Sequence, residues 1–157
     1  MTHAPATQTG AFQSESSLAL PLYGASFGQA FGRFWKKYAT FSGRASRSEF
    51  WWWQLATVLV GTVLYVIMAI GGFAGATYDV TTGTSQPGPL IGVGAGLLGL
   101  WLLATIVPSF AIVWRRLHDS NRSGGFYFLG LIPLVGGIIL LVLFVLESNP
   151  QGARFDA

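Results

Sequence analysis

The chain has 157 residues, the length of one domain, yet 52% of them are apolar, 15% aromatic and only 10% charged, where a soluble domain carries about a quarter charged. That composition points to lipid as the solvent for most of the chain, and the absence of cysteine excludes disulfides, thiolate metal sites and cysteine nucleophiles. The net charge of +3 and the pI near 9.6 come from basic residues flanking apolar stretches, a pattern that follows membrane topology rather than a nucleic-acid surface.

Residues 1–25 are rich in Ser, Thr, Ala, Gln and Gly, carry Glu15 as their one formal charge and show no sustained period, which predicts a disordered polar tail. A secretory signal is not expected there, because a basic n-region is missing and the apolar run Leu18–Leu22 is interrupted by Pro21. Over residues 26–41 the pattern changes. Phe27, Phe31, Phe34, Trp35, Tyr38 and Phe41 fall on one arc at 100° per residue, and Gln29, Arg33, Lys36, Lys37 and Thr40 fall opposite. This predicts an amphipathic helix lying in the headgroup plane ahead of the first span; the alternative is a helix packed on a partner or on the protein's own loops.

Three apolar stretches follow, at about 51–70, 90–113 and 126–146, each without Asp, Glu, Lys, Arg or His. At a rise of about 1.5 Å per residue each reaches about 30 Å, the thickness of the hydrocarbon core. The expected fold is therefore an all-α membrane protein: an amphipathic interfacial helix, then three transmembrane helices within a membrane domain over 42–149, then a short tail over 150–157. Trp51–Trp53, Trp114 and Phe126–Phe128 are placed as interfacial anchors. Five of the nine Lys/Arg precede the first span (Arg33, Lys36, Lys37, Arg44, Arg47), three lie between the second and third (Arg115, Arg116, Arg122), and Arg154 alone follows. The positive-inside rule then puts the N-terminus and second loop in the cytoplasm, with the Gly/Thr/Pro/Ser-rich flexible loop 71–89 and the C-terminus outside. Pro133 and the pair Gly136–Gly137 leave open a re-entrant third segment that returns the tail to the cytoplasm.

Ser46 and Glu49 have the spacing of a capping box that fixes the start of the first span. Glu49 is expected to be structural, with an arginine of the second cytoplasmic loop as a further partner. Gly92, Gly96 and Gly99 give the second span a small-residue face for close helix packing, within one chain or between two. Pro108 and Pro133 are expected to kink their spans. The segment Trp114–Gly125, read as a polar loop, concentrates Arg115, Arg116, His118, Asp119, Asn121 and Arg122 on the surface that also bears Arg44, Arg47 and Glu49. Two readings stand for it. Arginines with amide and hydroxyl donors form a site for the phosphate of an anionic phospholipid. Otherwise the arginines enforce topology, Asp119 holds Arg44, Arg47 or Arg116 in an ion pair, and Asn121 and Ser123 make the turn and cap the next helix. His118 beside Asp119 makes neither a metal site, which needs three or more ligands, nor a serine hydrolase without a nucleophile elbow. No cofactor, metal or catalytic residue is expected.

Phe41-Ser42-Gly43-Arg44-Ala45-Ser46-Arg47-Ser48-Glu49-Phe50-Trp51 and Arg115-Arg116-Leu117-His118-Asp119-Ser120-Asn121-Arg122-Ser123-Gly124 resemble the two signature segments of the DUF 805 family of small bacterial inner-membrane proteins. The resemblance covers roughly residues 31–149. Gly125-Phe126 departs from the tryptophans the family places after the Ser-Gly, and the N-terminal tail lies outside the match. What the resemblance implies is a location, the bacterial inner membrane, and a fold; it implies no reaction. The function expected is that of a non-enzymatic integral membrane protein whose cytoplasmic Arg/His/Asp cluster clasps the helices or binds anionic headgroups or a protein partner. The alternative is a small transporter or transport-complex subunit, disfavoured because its spans lack ionisable residues. Expected partners are membrane lipids, a second copy or another membrane protein.

Overall fold

A computed structural model describes Leu18 and residues 20–156, and most of the tail expected to be disordered over 1–25 lies outside the described residues. Its last part does not behave as a tail. The Leu22 amide donates to Glu49 (3.1 Å), the Ala25 amide to Ser48 Oγ (2.9 Å), and the Ala25 carbonyl accepts from Trp52 Nε1 (2.9 Å). Residues 20–25 thus form a strap across the start of the first long helix.

Helix α1, Phe27–Lys36, is shorter than the 26–41 expected. It opens on a capping box in which Ser26 Oγ accepts from the Gln29 amide and the Gln29 side chain accepts from the Ser26 amide. Its aromatic face packs on the protein's own second helix: Phe34 stacks on Trp53 with ring centroids 3.2 Å apart, while Phe31 and Trp35 meet the same indole at 6.0 and 6.3 Å. Phe27 and Tyr38 remain exposed. The polar face departs from expectation, since Arg33 and Lys37 are buried.

Helices α2, Arg47–Phe73, and α3, Ile91–Asp119, are long and apolar enough to cross a membrane, at about 40 Å each. The rest of the chain covers little of either apolar surface, as expected of helices whose solvent is lipid rather than a protein core. The predicted capping box starts α2: the Glu49 amide donates to Ser46 Oγ (3.2 Å) and the Ser46 amide to Glu49 Oε2 (2.9 Å). The two helices cross at Gly94, where a Cβ would stand 2.4 Å from Met68 Cα. Gly92, Gly96 and Gly99, the face predicted for packing, meet nothing within 4 Å. The close contact inside the chain is made two residues away, on another face of the helix.

Helix α3 continues through Pro108 and six residues past the expected Val113. Arg115, Arg116, His118 and Asp119 therefore belong to its last turns and not to a loop. Asn121, at φ 60°, ends the helix, with the Asn121 amide on the His118 carbonyl and the Arg122 amide on that of Leu117, both 2.9 Å.

The third apolar stretch is not one helix. After Ser123, whose Oγ caps the Gly125 amide (3.3 Å), a 3-10 segment runs Gly124–Leu131, the chain turns at Pro133 and Leu134, and α4 occupies only Gly136–Val145. Ten residues reach about 15 Å, half of a hydrocarbon core. The 3-10 segment and α4 pack on each other, and the far end of α4 returns to where the segment began: the Leu146 and Phe144 carbonyls accept from Arg116. The third helix expected over 126–146 is replaced by a hairpin with both ends beside the C-terminal end of α3. Pro133 lacks an N–H to continue a helix, and Leu134 at φ 67° leaves helical backbone altogether, so the chain turns here, whereas α3 runs on through Pro108. At the opposite end of the helix pair, the flexible loop expected over 71–89 contains a two-stranded antiparallel hairpin, β1 Thr77–Asp79 and β2 Thr84–Gln86.

Candidate functional site

The buried core of the described residues is concentrated where α1, the start of α2 and the end of α3 meet. Phe34, Ala45, Phe50, Trp53, Ala56 and Ile112 form it, with Trp101 and Phe144 against it. Directly above lies a layer of polar side chains, most of them buried.

Arg116 and Asp119 are its centre, neither with any exposed side-chain surface. One turn apart on α3, they form an ion pair. Arg116 also donates from Nε to the Phe144 carbonyl (3.0 Å) and from Nη2 to that of Leu146. The Asp119 carboxylate accepts in addition from Ser148 Oγ and from Tyr23 Oη (3.1 Å), and its backbone carbonyl accepts from the Asn149 amide (2.8 Å). Two side chains thereby join the N-terminal strap, α3, α4 and the C-terminal segment.

A second contact binds the segment before α2 to the C-terminus. Arg44 grips Asp156 with Nε and Nη2 at 2.7–3.0 Å, and the Gly43 amide donates to the Phe155 carbonyl (2.6 Å). The Asp156 carboxylate raises the Arg44 pKa further, against the opposing effect of partial burial. His118 lies on this seam, Nδ1 3.1 Å from the Gly43 carbonyl and its ring stacked on Phe155 with centroids 4.0 Å apart. The backbone approaches closely here: a Cβ on Gly152 would stand 2.4 Å from the His118 carbonyl.

The third contact is Arg33 with Glu49, both buried. Glu49 Oε1 takes Arg33 Nε, Oε2 takes the Leu22 and Ser46 amides, and Arg33 Nη2 reaches the Leu18 and Leu20 carbonyls. Glu49 therefore pairs with α1, and not with the expected arginine of the Trp114–Gly125 segment. Arg47 makes only a loose pair with Glu147 (3.7 Å), both exposed. Asn121 donates to Gln151 (3.0 Å), and Arg122 lies over the Phe126 ring at 5.5 Å, both at the rim.

Of the nine residues picked out by sequence, Arg44, Glu49, Arg116, His118 and Asp119 thus enter the buried layer with named partners, while Arg47, Asn121 and Arg122 lie outside it. Arg115 is different: it is 1% exposed, its Nε donates to the Ala111 carbonyl (3.1 Å), and its Nη2 has no hydrogen-bond partner among the described residues. Lys37 Nζ, 3% exposed, has none either. Burial above all, then the Arg115 and Arg33 guanidiniums, pushes the Lys37 pKa down to about 8, with Glu49 and Asp156 opposing. Lys37 was missed as a site residue because it falls on the polar arc of an amphipathic helix, Tyr23 and Asp156 because they stand in segments read as tails, and Ser148 because it follows the third apolar stretch without a motif of its own. The capping spacing Ser26–Gln29 marks the start of α1, and the strap before it carries no such local sign.

Residues 38–157 match the family model described as protein of unknown function, DUF805, a span that takes in the C-terminal segment beyond the 31–149 of the sequence motifs. Inner membrane protein YhaI of Escherichia coli K12 is 35% identical over 120 residues, covering 76% of this chain and 86% of the relative. Inner membrane protein YhaH of the same strain is 31% identical over 121 residues, covering 76% and 87%. No solved structure matches the chain.

Proposed function

The chain belongs to the DUF805 family, whose named relatives are inner membrane proteins, and from that premise we propose that it is a non-enzymatic multi-pass protein of the inner membrane whose cytoplasmic polar layer clasps two spanning helices, a re-entrant hairpin and both chain ends into one unit. The observation that carries this is the Arg116–Asp119 pair, which four separate chain segments share. A catalytic carboxylate needs a free oxygen facing a substrate; Asp119 spends its oxygens on Arg116, Ser148 and Tyr23.

The charge distribution supports the orientation. With the third segment folded back, Arg154, the exception in a three-span reading, donates to the Asn121 carbonyl (3.4 Å) at the same end as the other eight Lys/Arg. All nine then lie on one side, the side the positive-inside rule assigns to the cytoplasm. Because the chain has no cysteine, single cysteines at position 83 and at the C-terminus report sidedness cleanly. Labelling from outside is expected at 83 only. A C-terminal cysteine labelled from outside restores three spans and removes the clasp reading. The outward Gly92, Gly96 and Gly99 suit close approach of a second copy, for which cross-linking between Gly96→Cys chains is the test.

A transport role is the second reading, and one feature favours it: a cavity of about 520 Å³ between α2, α3 and the hairpin, lined in part by Gln54, Thr57, Thr105, Ser109 and Tyr127, with Thr57 Oγ1 buried and without a partner among the described residues. Filling it by Ser109→Leu abolishes solute flux in reconstituted vesicles if the cavity is a path, and leaves a scaffold folded and unchanged.

A further inference from the structure

We propose that Lys37 and Arg115 are the two arms of a buried site for a phosphate-type oxyanion. The site deepens the clasp reading, resting on the placement of this layer at headgroup depth. Lys37 caps the C-terminus of α1, Arg115 lies on the last turns of α3, and the two helices touch. Each side chain is almost wholly buried, and each ends in a nitrogen that meets no acceptor among the described residues.

The charges around them do not balance. Arg33, Lys37 and Arg115 face one carboxylate, Glu49, whose two oxygens are already taken by Arg33 and by the Leu22 and Ser46 amides. Asp156, the other carboxylate that acts on Lys37, is gripped by Arg44. Two buried positive charges are therefore left without a counter-ion, in a layer that pairs Arg33, Arg44 and Arg116. An unpaired buried cation is strongly destabilising, and like neighbours add to the cost; one anion between them removes both penalties.

The donor set selects the chemistry. A guanidinium presents a planar fork to an oxyanion and an ammonium adds a compact charge, the combination used for phosphate groups. Bound phosphate would hold Lys37 protonated, against the burial and the Arg33 and Arg115 charges that lower its pKa to about 8 and with the help of Glu49 and Asp156. The phosphate can come from an anionic lipid headgroup, or from a free phosphate or phosphorylated solute of the cytoplasm.

The test uses the full chain in maltoside micelles, where membrane orientation plays no part, so a failure here is distinct from a failure of the topology labelling. Thermal unfolding is followed against inorganic phosphate, against added phosphatidylglycerol and against added phosphatidylcholine, for wild type, Lys37→Met, Arg115→Met and the exposed control Arg47→Gln. The expected result is a rise in Tm with phosphatidylglycerol or phosphate that Arg47→Gln keeps, and for which each core variant needs about tenfold more anion or more. Protection by inorganic phosphate identifies a soluble oxyanion; protection by phosphatidylglycerol alone identifies a headgroup. No rise with either anion, or an equal rise in all four proteins, overturns the proposal. If both core variants fail to fold, the wild type at pH 7 and pH 9.5 decides: protection must weaken as Lys37 loses its proton, and protection that does not weaken overturns the site.

Discussion

The two ends of the helix pair are built in opposite ways. At the polar end, the bonds that fix the structure join residues far apart in sequence: His118 to Gly43 across 75 residues, Asp119 to Tyr23 across 96, Arg44 to Asp156 across 112. At the other end, Asp79 accepts from the Thr81 and Thr82 amides two and three residues on, and the strands Thr77–Asp79 and Thr84–Gln86 are exposed throughout. One end exists only when the whole chain is in place; the other is made by neighbours. Stability should therefore be concentrated at the polar end, and the contrast is sharpened or broken by substitutions at each.

The largest effect is expected from Asp119→Leu. It leaves Arg116 buried without its carboxylate and strips Tyr23 and Ser148 of their acceptor; breaking a buried pair from one side costs about 3–5 kcal/mol. Denaturation in mixed micelles should show that loss, together with release of the C-terminal segment to proteolysis. The double substitution Arg116→Met/Asp119→Leu should recover part of it, since removing both charges leaves no buried ion. A single substitution within 1 kcal/mol of wild type, as measured, would mean that the four segments are held by apolar packing and the clasp is incidental.

Next comes the crossing of α2 and α3. Gly94→Val puts a side chain where even a Cβ is 2.4 Å from Met68 Cα, and overpacking of this kind costs about 1–3 kcal/mol. Gly96→Val, facing open space, should leave the stability of the monomer unchanged. Equal losses at both positions would mean that the Gly96 face is also packed, which points to a second copy.

A smaller effect separates the unpaired cations from the paired ones. Lys37 has a pKa of about 8 against an ordinary 10.5. Between those values the unfolded chain binds the proton and the folded chain does not, so stability rises with pH across that window. Buffer free of phosphate and anionic lipid should show Tm increasing from pH 8 to 10, and Lys37→Met should flatten the increase. A Tm that falls equally in both proteins assigns the pH dependence to other groups.

The legible parts of the molecule were those with local causes. The capping box at Ser46 and Glu49 and the two apolar helices were readable because a helix period or a three-residue spacing shows in any short window. The polar layer was legible as a concentration of charge and not as a set of partners: Arg116 with Asp119 was one of the pairings expected, whereas Asp156 for Arg44 depends on where the C-terminal segment goes and Arg33 for Glu49 on how α1 folds back against α2. The third apolar stretch shows the limit most clearly. Its composition matches that of a span, and Pro133 with Gly136–Gly137 left a re-entrant course open, but the folded-back end of the hairpin is held by Arg116 reaching the Phe144 and Leu146 carbonyls, a contact across about thirty residues that no periodicity carries. Lys37 was assigned to a solvated face because amphipathic arcs assume water or headgroups on the polar side, and here part of that side is covered by the end of α3.

The smallest effect is expected at Asp79, where the carboxyl is held below its ordinary pKa by the hydrogen bond from the Thr81 amide and those from Thr82 and the Thr81 side chain. A depressed pKa contributes stability above the ordinary carboxyl range that is lost as pH falls through the lowered value, but here it acts on a fully exposed turn. Asp79→Ala should speed hydrogen exchange at the Thr81 and Thr82 amides and leave the unfolding of the helix pair where it was. Asp79→Asn should do less, because its side-chain carbonyl still accepts from the turn. The hairpin reaches the helices through the loop after β2, where the Gly88 amide donates to the Gly72 carbonyl (2.7 Å) and a Cβ on Gly88 would collide with the Ala74 carbonyl. If Asp79→Ala lowers the Tm of the whole protein, that contact couples the two ends, and the division into a long-range and a local end fails at Gly88.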